Sequence, residues 1–386
     1  MNPPHNQSTF AIPAAAGYSM PAEWELHAAT WIGWPHNASD WPGKLPAVQW
    51  AYGEIVRHLV PGEIVRILVN SPSYEQGARE LLQRVGVDLS RVEFFRVPTN
   101  RGWTRDFGPM FVAWRAGGVN SPMGTSEDLR PPLAIARFGF NAWAKYPDWQ
   151  FDARVAGVLA ERLGVLAFPV QHLGRDVVLE GGAIDVNGAG TLITTEECLL
   201  DQQVQVRNPG LTRADMEAVL KDSLGVRNVI WLGRGIVGDD THGHVDDLCR
   251  FVNKDTVVLA QEPDRQDPNH HILAANRERL EDARLEDGSR LNIARLPMPS
   301  PLFFDGIRLP ASYANFYIAN AAVLVPTFND PRDREALGIL AELFPDRPVI
   351  GIHAVDLVWG LGTLHCLTQQ EPIGEGVGSS GSQAIP

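Results

Sequence analysis

The order of elements that decides the fold is clearest in residues 183–232, which begin with AIDVNGAGTLIT (residues 183–194). Two short apolar runs flank the turn NGAG, a pattern typical of a β-hairpin. A helical pattern follows over Thr212–Leu224, which opens with an N-cap threonine and an aspartate three residues on, a variant of the capping box. The apolar run Asn228–Leu232 ends the unit. This stretch predicts two antiparallel strands, a helix and a third strand.

The helix-then-strand order recurs five times along the chain, although no residue-level repeat accompanies it. The predicted pairs are Val48–Leu59 with Ile64–Val69, Phe151–Leu163 with Val165–Val170, Thr212–Leu224 with Asn228–Leu232, His270–Ala283 with Leu291–Leu296, and Pro331–Leu343 with Pro348–Ile352. The predicted hairpins are Pro109–Trp114 with Leu133–Phe138, Ala183–Val186 with Thr191–Thr194, Val245–Val252 with Thr256–Ala260, and Tyr313–Ala319 with Ala322–Pro326.

A fifth hairpin is missing from this series, but the chain ends supply its two strands. Ala28–Gly33 and Cys366–Gln370 each lack a local partner, and pairing them would close a ring and remove exposed sheet edges. The sequence therefore predicts an α/β fold of five ββαβ units in one closed ring, with an irregular α/β sandwich as the alternative. We expect a single domain over residues 20–372, a flexible segment over 1–19 and a disordered Gly/Ser-rich tail over 373–386.

Composition limits the classes of partner. The 386 residues include 46 acidic and 33 basic side chains, for a formal charge of −13. This balance disfavours nucleic acid and anionic membranes, which need clustered Lys and Arg, and it is compatible with a cationic substrate. The absence of a long apolar run and of a secretory-signal pattern, together with only three cysteines, predicts a cytoplasmic protein. A homo-oligomer is left open.

Reactive side chains fall at equivalent positions in the predicted units, at or just before the first strand of each hairpin. The segments are Trp103–Asp106, Glu180–Gly182, His242–Asp247, Ser312–Asn315 and Gly360–Cys366. Each has an ordinary structural explanation when taken alone, such as an Arg105–Asp106 surface pair. If the units surround one axis, however, all five segments face a common centre and bring carboxylates, histidines and a cysteine together.

Cys366 is the candidate nucleophile among the three cysteines. It follows a Gly-rich loop, adjoins His365 and precedes polar residues. Cys198 lies in an apolar run and Cys249 alternates along a strand, so both are expected to be structural.

His242, His244 and Asp246 alternate along a segment that we expect to be extended, which would place them on one face. Such a set could bind zinc or hold a general acid/base beside a carboxylate. No second ligand cluster of suitable spacing supports a metal. Gly233–Gly238 matches the dinucleotide fingerprint G-x-G-x-x-G, but an acidic, non-helical stretch follows it where that fingerprint needs a helix. We expect neither a metal nor an organic cofactor.

Four spaced motifs resemble the agmatine deiminase family, which includes bacterial peptidylarginine deiminases and belongs to the guanidine-modifying superfamily. They are WTRDFGP (103–109), LEGG (179–182), THGHVDD (241–247) and GTLHCLTQQEP (362–372). Further matches are MPAEWE (20–25), WIGWP (31–35) and FNAW (140–143), so the resemblance covers roughly residues 20–372. It implies a five-bladed, pseudo-fivefold α/β propeller with its site on the axis, in agreement with the predicted ring.

The resemblance also implies a role for each matching residue. Cys366 would be the nucleophile, His244 the general acid/base, Asp106 and Asp246 the ligands of a guanidinium, Glu180 a further contact that orients the histidine, and Trp103 a wall beside the methylene chain. Asn315, in the segment that starts the last hairpin, is a second candidate for substrate binding. Carboxylates suit a planar guanidinium with five N–H donors, and sulfur is a nucleophile strong enough for its central carbon.

The expected reaction is hydrolytic deimination of a small cationic guanidine through a covalent Cys-amidino intermediate. Agmatine would give N-carbamoylputrescine and ammonia. Free or peptidyl arginine as substrate, an amidinotransferase and a propeller without catalysis are the alternatives. An arginine carboxylate would need a cationic partner, for which Arg115 and Arg130 in the loop after Trp114 are candidates.

Four residues depart from the family pattern without removing a proposed catalytic group. Phe107 stands where cysteine is frequent, and His242 stands where asparagine is frequent. Leu361 and Thr363 lie in the loop before Cys366. Those two are expected to reshape the pocket, which leaves the identity of the substrate open.

Overall fold

The computed structural model describes residues 12–115 and 131–374 of the chain. The helices in these residues are α1 (Leu45–Leu59), α2 (Pro72–Arg84), α3 (Thr104–Phe107), α4 (Val155–Leu163), α5 (Glu196–Leu200), α6 (Arg213–Leu224), α7 (Pro268–Asp282), α8 (Asp333–Leu343) and α9 (Leu364–Leu367). Within the described ranges, no helix has both the length and the apolar character that crossing a membrane requires.

Three of the sheets consist of an antiparallel hairpin followed by a strand parallel to its second member. They are β10 (Ile184–Val186), β11 (Thr191–Thr195) and β12 (Asn228–Leu232); β13 (Cys249–Phe251), β14 (Thr256–Gln261) and β15 (Asn292–Pro297); and β18 (Tyr317–Ile318), β19 (Val323–Thr327) and β20 (Val349–His353). A parallel third strand requires a crossover, and α6, α7 and α8 supply it as predicted.

Two further sheets extend this plan to four strands. One has the order β1 (Tyr18–Ser19), β5 (Met110–Trp114), β6 (Leu133–Arg137), β7 (Leu166–Pro169), and the other has the order β21 (Thr368–Pro372), β2 (His27–Gly33), β3 (Ile64–Val69), β4 (Val92–Arg96). The remaining strands form two short ribbons, β8 (Gln171–His172) with β9 (Arg175–Asp176) and β16 (Phe303–Phe304) with β17 (Ile307–Arg308).

The two ends of the described chain meet in one sheet. Strand β2 pairs antiparallel with β21, and Trp31 lies opposite Gln369. This is the non-contiguous hairpin that the sequence predicts, and it has the hairpin-plus-parallel-strand plan of the other sheets. The fold is mixed α/β; the arrangement of these sheets as five blades around one axis stays a prediction.

Two parts of the fold differ from the sequence expectation. Helix α2 and strand β4 add a second crossover after β3, which the sequence reasoning missed; α2 begins after the N-cap Ser71, whose hydroxyl accepts a hydrogen bond from Tyr74 N. Residues 12–19 also belong to the fold, because Tyr18 is buried and pairs with Trp114 on β5. The flexible segment expected over 1–19 overlaps this part, while residues 1–11 and 375–386 lie outside the described residues.

A single helical turn precedes the first strand of four sheets, and these turns position the site. Helix α3 leads to β5, the turn Gly181–Ala183 leads to β10, the turn Val245–Asp247 leads to β13, and α9 leads to β21. Their residues are buried. Four of the five reactive segments that the sequence predicts therefore share a local structure, a buried helical turn just before a strand.

Candidate active site

Cys366 lies at a cavity of about 400 Å³ whose walls are partly aromatic. Trp103 and Asp106 line the same cavity, and the rings of Trp103 and Trp41 are 5.0 Å apart between centroids. Gly362 gives the sulfur its space, because a Cβ there would lie 3.2 Å from Cys366 Sγ and 2.8 Å from the Trp103 ring. The Gly-rich loop thus opens the pocket at the thiol.

Asn315 holds the loop that carries Cys366. Its Nδ2 donates to Cys366 Sγ at 3.2 Å and to Asp247 Oδ1 at 3.0 Å. Its Oδ1 accepts from the Thr363 hydroxyl at 2.8 Å and from the backbone N–H of His365 at 3.1 Å. The side chain is fully buried and does not line the cavity. The structure therefore places Asn315 behind Cys366, not along the wall where the sequence reasoning expects a substrate contact.

The environment of Cys366 is acidic. Its thiol donates to Asp246 Oδ2 at 3.7 Å, and Asp246, Asp247 and Cys366 place possible ligand atoms within 4.8 Å of one another. Burial raises the pKa of Cys366 well above its usual value, and the charges of Asp246, Asp247 and Asp106 raise it further. Without a bound cation, the sulfur is held as a thiol.

His244 is buried between two carboxylates. Its Nδ1 is 3.8 Å from Asp106 Oδ1 and its Nε2 is 3.7 Å from Glu180 Oε2, and neither ring nitrogen has a hydrogen-bond partner. Burial alone would lower the pKa of His244, but Asp106, the neighbouring Cys198 sulfur and Glu180 together raise it well above the usual value. The ring is therefore an imidazolium at neutral pH, with both N–H groups free to donate.

Asp106 is fixed by two donors. Trp143 Nε1 donates to Oδ2 at 2.9 Å and the backbone N–H of Gly182 donates to Oδ1 at 3.2 Å. Burial, reinforced by the charges of Asp246 and Glu180, raises the pKa of Asp106 to about 6, although His244 opposes that change. At neutral pH this carboxyl is mostly ionised, and it becomes protonated as the pH falls through about 6.

Glu180 has one oxygen paired and one free. Arg207 Nε donates to its Oε1 at 3.2 Å, while Oε2 is buried and has no hydrogen-bond partner. Burial would raise the pKa of Glu180, but the charges of Arg207 and His244 prevail and lower it to about 2. Glu180 is therefore a permanent anion facing His244.

A buried ion network positions Asp246. Its Oδ2 contacts His365 Nδ1 at 2.7 Å, and His365 Nε2 contacts Glu23 Oε2 at 2.8 Å. Glu23 also pairs with Arg250 at 2.9 Å and Arg105 at 3.2 Å. Burial opposes ionisation, yet His365 lowers the pKa of Asp246 below its usual value. Asp246 Oδ1 is buried and has no hydrogen-bond partner.

The expected extended segment from His242 to Asp246 is wrong. His242 and Gly243 have φ values of +63° and +98°, and Val245–Asp247 forms a helical turn, so period-two alternation does not apply. His242 Nε2 instead contacts Asp201 Oδ2 at 2.8 Å, away from the partners of His244 and Asp246. The three residues do not share a metal-binding face.

Three arginines singled out in the sequence and one residue that departs from the family pattern differ in their relation to the cavity. Arg105 is buried, and its side chain binds Glu23, Gln370 and the carbonyl of His365, so it is not a surface partner of Asp106. Arg115 pairs with Glu25 at 2.5 Å and does not line the Cys366 cavity, and Arg130 lies outside the described residues. Leu361 lines the cavity with a φ of +70°.

The site as a whole combines three cavity-lining residues with four that lie behind them. Asp106, Trp103 and Cys366 line the cavity, whereas His244, Asp246, Glu180 and Asn315 are fully buried next to them. His365, Glu23, Arg207 and Trp143 support this set, and no role was assigned to them from sequence. His365, Glu23 and Trp143 lie within the matching motifs, which could have pointed to a role in the site. Arg207 lies in no motif, so the sequence gives no indication of its role.

Comparisons with known proteins identify the family of this chain. A profile of the Porphyromonas-type peptidyl-arginine deiminase family matches residues 19–372. The chain belongs to this family. It is 35% identical to agmatine deiminase of Pseudomonas aeruginosa (strain LESB58), over 94% of this chain and 97% of that protein. It is 36% identical to agmatine deiminase of Stutzerimonas stutzeri (strain A1501) over the same shares.

Solved structures place the fold in the same deiminase family. Agmatine deiminase of Enterococcus faecalis superposes with a TM-score of 0.82 at 30% identity, covering 95% of this chain and 98% of the other. The resemblance read from the four motifs is confirmed, and so is the enzyme class, a hydrolase of carbon–nitrogen bonds in linear amidines.

Proposed function

We propose that this deiminase hydrolyses agmatine to N-carbamoylputrescine and ammonia. The observation that carries the proposal is one cavity with partly aromatic walls, at which a cysteine thiol lies next to a cluster of buried carboxylates and a buried imidazolium. Relatives that bear the name agmatine deiminase, 35% and 36% identical over nearly the whole chain, support agmatine as the substrate.

The carboxylates suit a guanidinium. Asp246 Oδ1 and Glu180 Oε2 are buried acceptors without partners, and Asp106 is the acidic group in the cavity wall next to Cys366. A guanidinium offers five N–H donors in one plane, so it can satisfy these oxygens together while its face is turned to sulfur. Orientation of this kind contributes much of the rate of a reaction between bound groups.

The first half-reaction forms the covalent intermediate. The positive charge of the bound guanidinium offsets the anions around Cys366, so the thiol pKa falls and its proton is released to solvent. The thiolate then attacks the guanidinium carbon to give a neutral tetrahedral adduct. His244 donates its proton to one –NH₂ group, the carbon–nitrogen bond breaks, and ammonia departs. Cys366 is left bound to a positively charged amidino group.

The second half-reaction restores the enzyme. His244, now neutral, takes a proton from water as the water oxygen attacks the amidino carbon. The carbon–sulfur bond breaks, Cys366 leaves as thiolate, and the carbon retains one –NH₂ group and the substituted nitrogen. Loss of a proton from the new oxygen gives the ureido product. No step draws on a metal or an organic cofactor.

We also propose that the sheets that carry the site are five blades of one ring over residues 20–372. The pairing of β2 with β21 supports this proposal, because it joins the chain ends in the plan of the other sheets. The helical turns before β5, β10, β13 and β21 support it further, since they converge on one cavity and its buried border.

Ammonia release from a panel of guanidines tests the proposal. Purified wild type and Cys366→Ala are each incubated with agmatine, free arginine and arginine peptides. We expect wild type to release ammonia from agmatine and Cys366→Ala to release none. Ammonia from arginine or arginine peptides without ammonia from agmatine would overturn the substrate assignment. If an added amine is converted to a new guanidine, the enzyme transfers the amidino group to the amine and is an amidinotransferase.

A further inference from the structure

The cavity that holds Cys366 is also lined by Asp40, a carboxylate that the proposed chemistry does not use. Asp40 lies in the loop between β2 and α1, and its side chain is fully buried. Its Oδ1 accepts from Arg101 Nη1, whereas its Oδ2 is buried and has no hydrogen bond of ordinary geometry, although the Trp103 side chain is close enough to the carboxylate to lower its pKa slightly. A buried carboxylate oxygen left in this state is costly, so the wall presents an acceptor that lacks a donor.

The other charged groups of this wall have partners, although Arg101 Nε is buried without a hydrogen bond. Arg101 binds Asp148 through Nη2 at 3.0 Å in addition to Asp40, and its guanidinium lies 4.4 Å from the centre of the Tyr146 ring. Asp240 binds Lys145 Nζ and accepts from the Tyr146 hydroxyl at 2.7 Å. Of the described carboxylates lining the cavity, Asp40 is therefore the one with a buried oxygen that remains free.

We propose that Asp40 binds a second cation at the far end of the substrate, so that the site selects guanidines whose alkyl chain ends in an ammonium group. This inference rests on the proposed function, because it takes the guanidinium to be bound beside Cys366. A substrate that ends in a carboxylate would bring an anion to Asp40. Arg101 is bound to two carboxylates through Nη1 and Nη2, which leaves only its buried Nε N–H for such an anion.

The charge state of the empty pocket supports the assignment. Burial raises the pKa of Asp40 to about 7, even though the Arg101 charge opposes that change. Arg101 thus compensates the buried anion only in part. An ammonium donor at Oδ2 would supply the missing charge and the missing hydrogen bond together.

A pair of substrates of equal length tests the inference. Pentylguanidine has a methyl group where agmatine has its ammonium. With wild type, we expect kcat/KM for agmatine to exceed that for pentylguanidine by about 10- to 100-fold, the range for a hydrogen bond to a charged group. Asp40→Asn is expected to reduce this ratio to about 3 or less. Asp148→Asn removes the other, more exposed partner of Arg101 and is expected to leave the ratio unchanged.

The outcomes separate this inference from the proposed function. Equal kcat/KM for agmatine and pentylguanidine with wild type would overturn the inference but not the proposed deimination. The same conclusion would follow if Asp40→Asn left the ratio of the two kcat/KM values unchanged. No ammonia from any guanidine would overturn the proposed function itself. If Asp40→Asn does not fold because Arg101 loses an anion, the double variant Asp40→Asn/Arg101→Gln removes both charges and is expected to lose the preference as well.

Discussion

His244 Nδ1 lies 3.8 Å from Asp106 Oδ1, and the backbone of Gly182 packs against both side chains. The N–H of Gly182 donates to the same oxygen of Asp106 at 3.2 Å. A Cβ on Gly182 would lie 2.5 Å from His244 Nδ1 and 3.0 Å from that oxygen. The distance between the proposed acid/base and the guanidinium-binding carboxylate is therefore set by a residue without a side chain.

Gly182→Ala should displace the imidazole, because the added methyl group occupies its space. A misplacement of about 1 Å at a reacting group can cost about 100-fold in rate, so we expect kcat/KM for agmatine to fall by roughly that factor. Gly77→Ala on α2 is the matched control, since its Cβ would meet nothing within 4 Å. The geometric argument fails if Gly182→Ala is as active as Gly77→Ala.

Arg207→Met tests the buried ion pair behind the site. Arg207 and Glu180 both have fully buried side chains, and removing one partner of such a pair costs about 3–5 kcal/mol. The free energy of unfolding, measured with urea, should fall by that amount. Arg213 and Glu196 form an exposed pair, so Arg213→Met should cost less than about 1 kcal/mol. Similar losses in the two variants would contradict the account of Glu180.

Binding of a guanidinium should weaken as the pH falls through about 6. The pKa of Asp106 is raised to about 6 by burial, so the carboxyl is protonated below that pH and must lose its proton to bind a cation. The affinity is measured by calorimetry, with methylguanidine as ligand and Cys366→Ala as the protein. This variant cannot turn the ligand over, and methylguanidine is too short to reach the far end of the pocket. We expect proton release on binding near pH 6. Affinity that does not change between pH 5 and 7 would refute the role given to Asp106.

Alkylation should report the thiol state of Cys366 in the empty enzyme. Burial and then the nearby aspartates raise its pKa well above the usual range. The rate of modification by iodoacetamide should therefore rise about tenfold per pH unit from pH 7 to 9, in step with the thiolate fraction. Cys366→Ala shows how much of the modification occurs at Cys198 and Cys249 and therefore how much is due to Cys366. A rate that levels off below pH 7 would show a resting thiolate instead.

The sequence predicts the repeating elements well, because hydrophobic period and turn residues mark them locally. The capping box at Thr212 and the pairing of β2 with β21 are both present. The missed helix α2 joins two parallel strands, β3 and β4, and so lies outside the predicted plan of one crossover helix per unit, although its N-cap serine and first-turn proline were visible.

The site is less predictable where backbone geometry decides it. His242 and His244 look equivalent in sequence, but positive φ values at residues 242 and 243 turn His242 toward Asp201. Asn315 was found by its place in the repeat, yet its role behind Cys366 depends on contacts with a distant loop. Arg207 lies far from any motif, and only the fold brings it to Glu180.

The most direct test of the central claim is the mass of Cys366 during turnover. The enzyme is mixed with agmatine, quenched with acid within the first turnovers, digested and analysed by mass spectrometry. We expect the peptide that contains Cys366 to gain the mass of agmatine less that of ammonia, and His244→Gln to lose turnover. Agmatine hydrolysis without this adduct, or continued hydrolysis by Cys366→Ala, would contradict covalent catalysis at this cysteine.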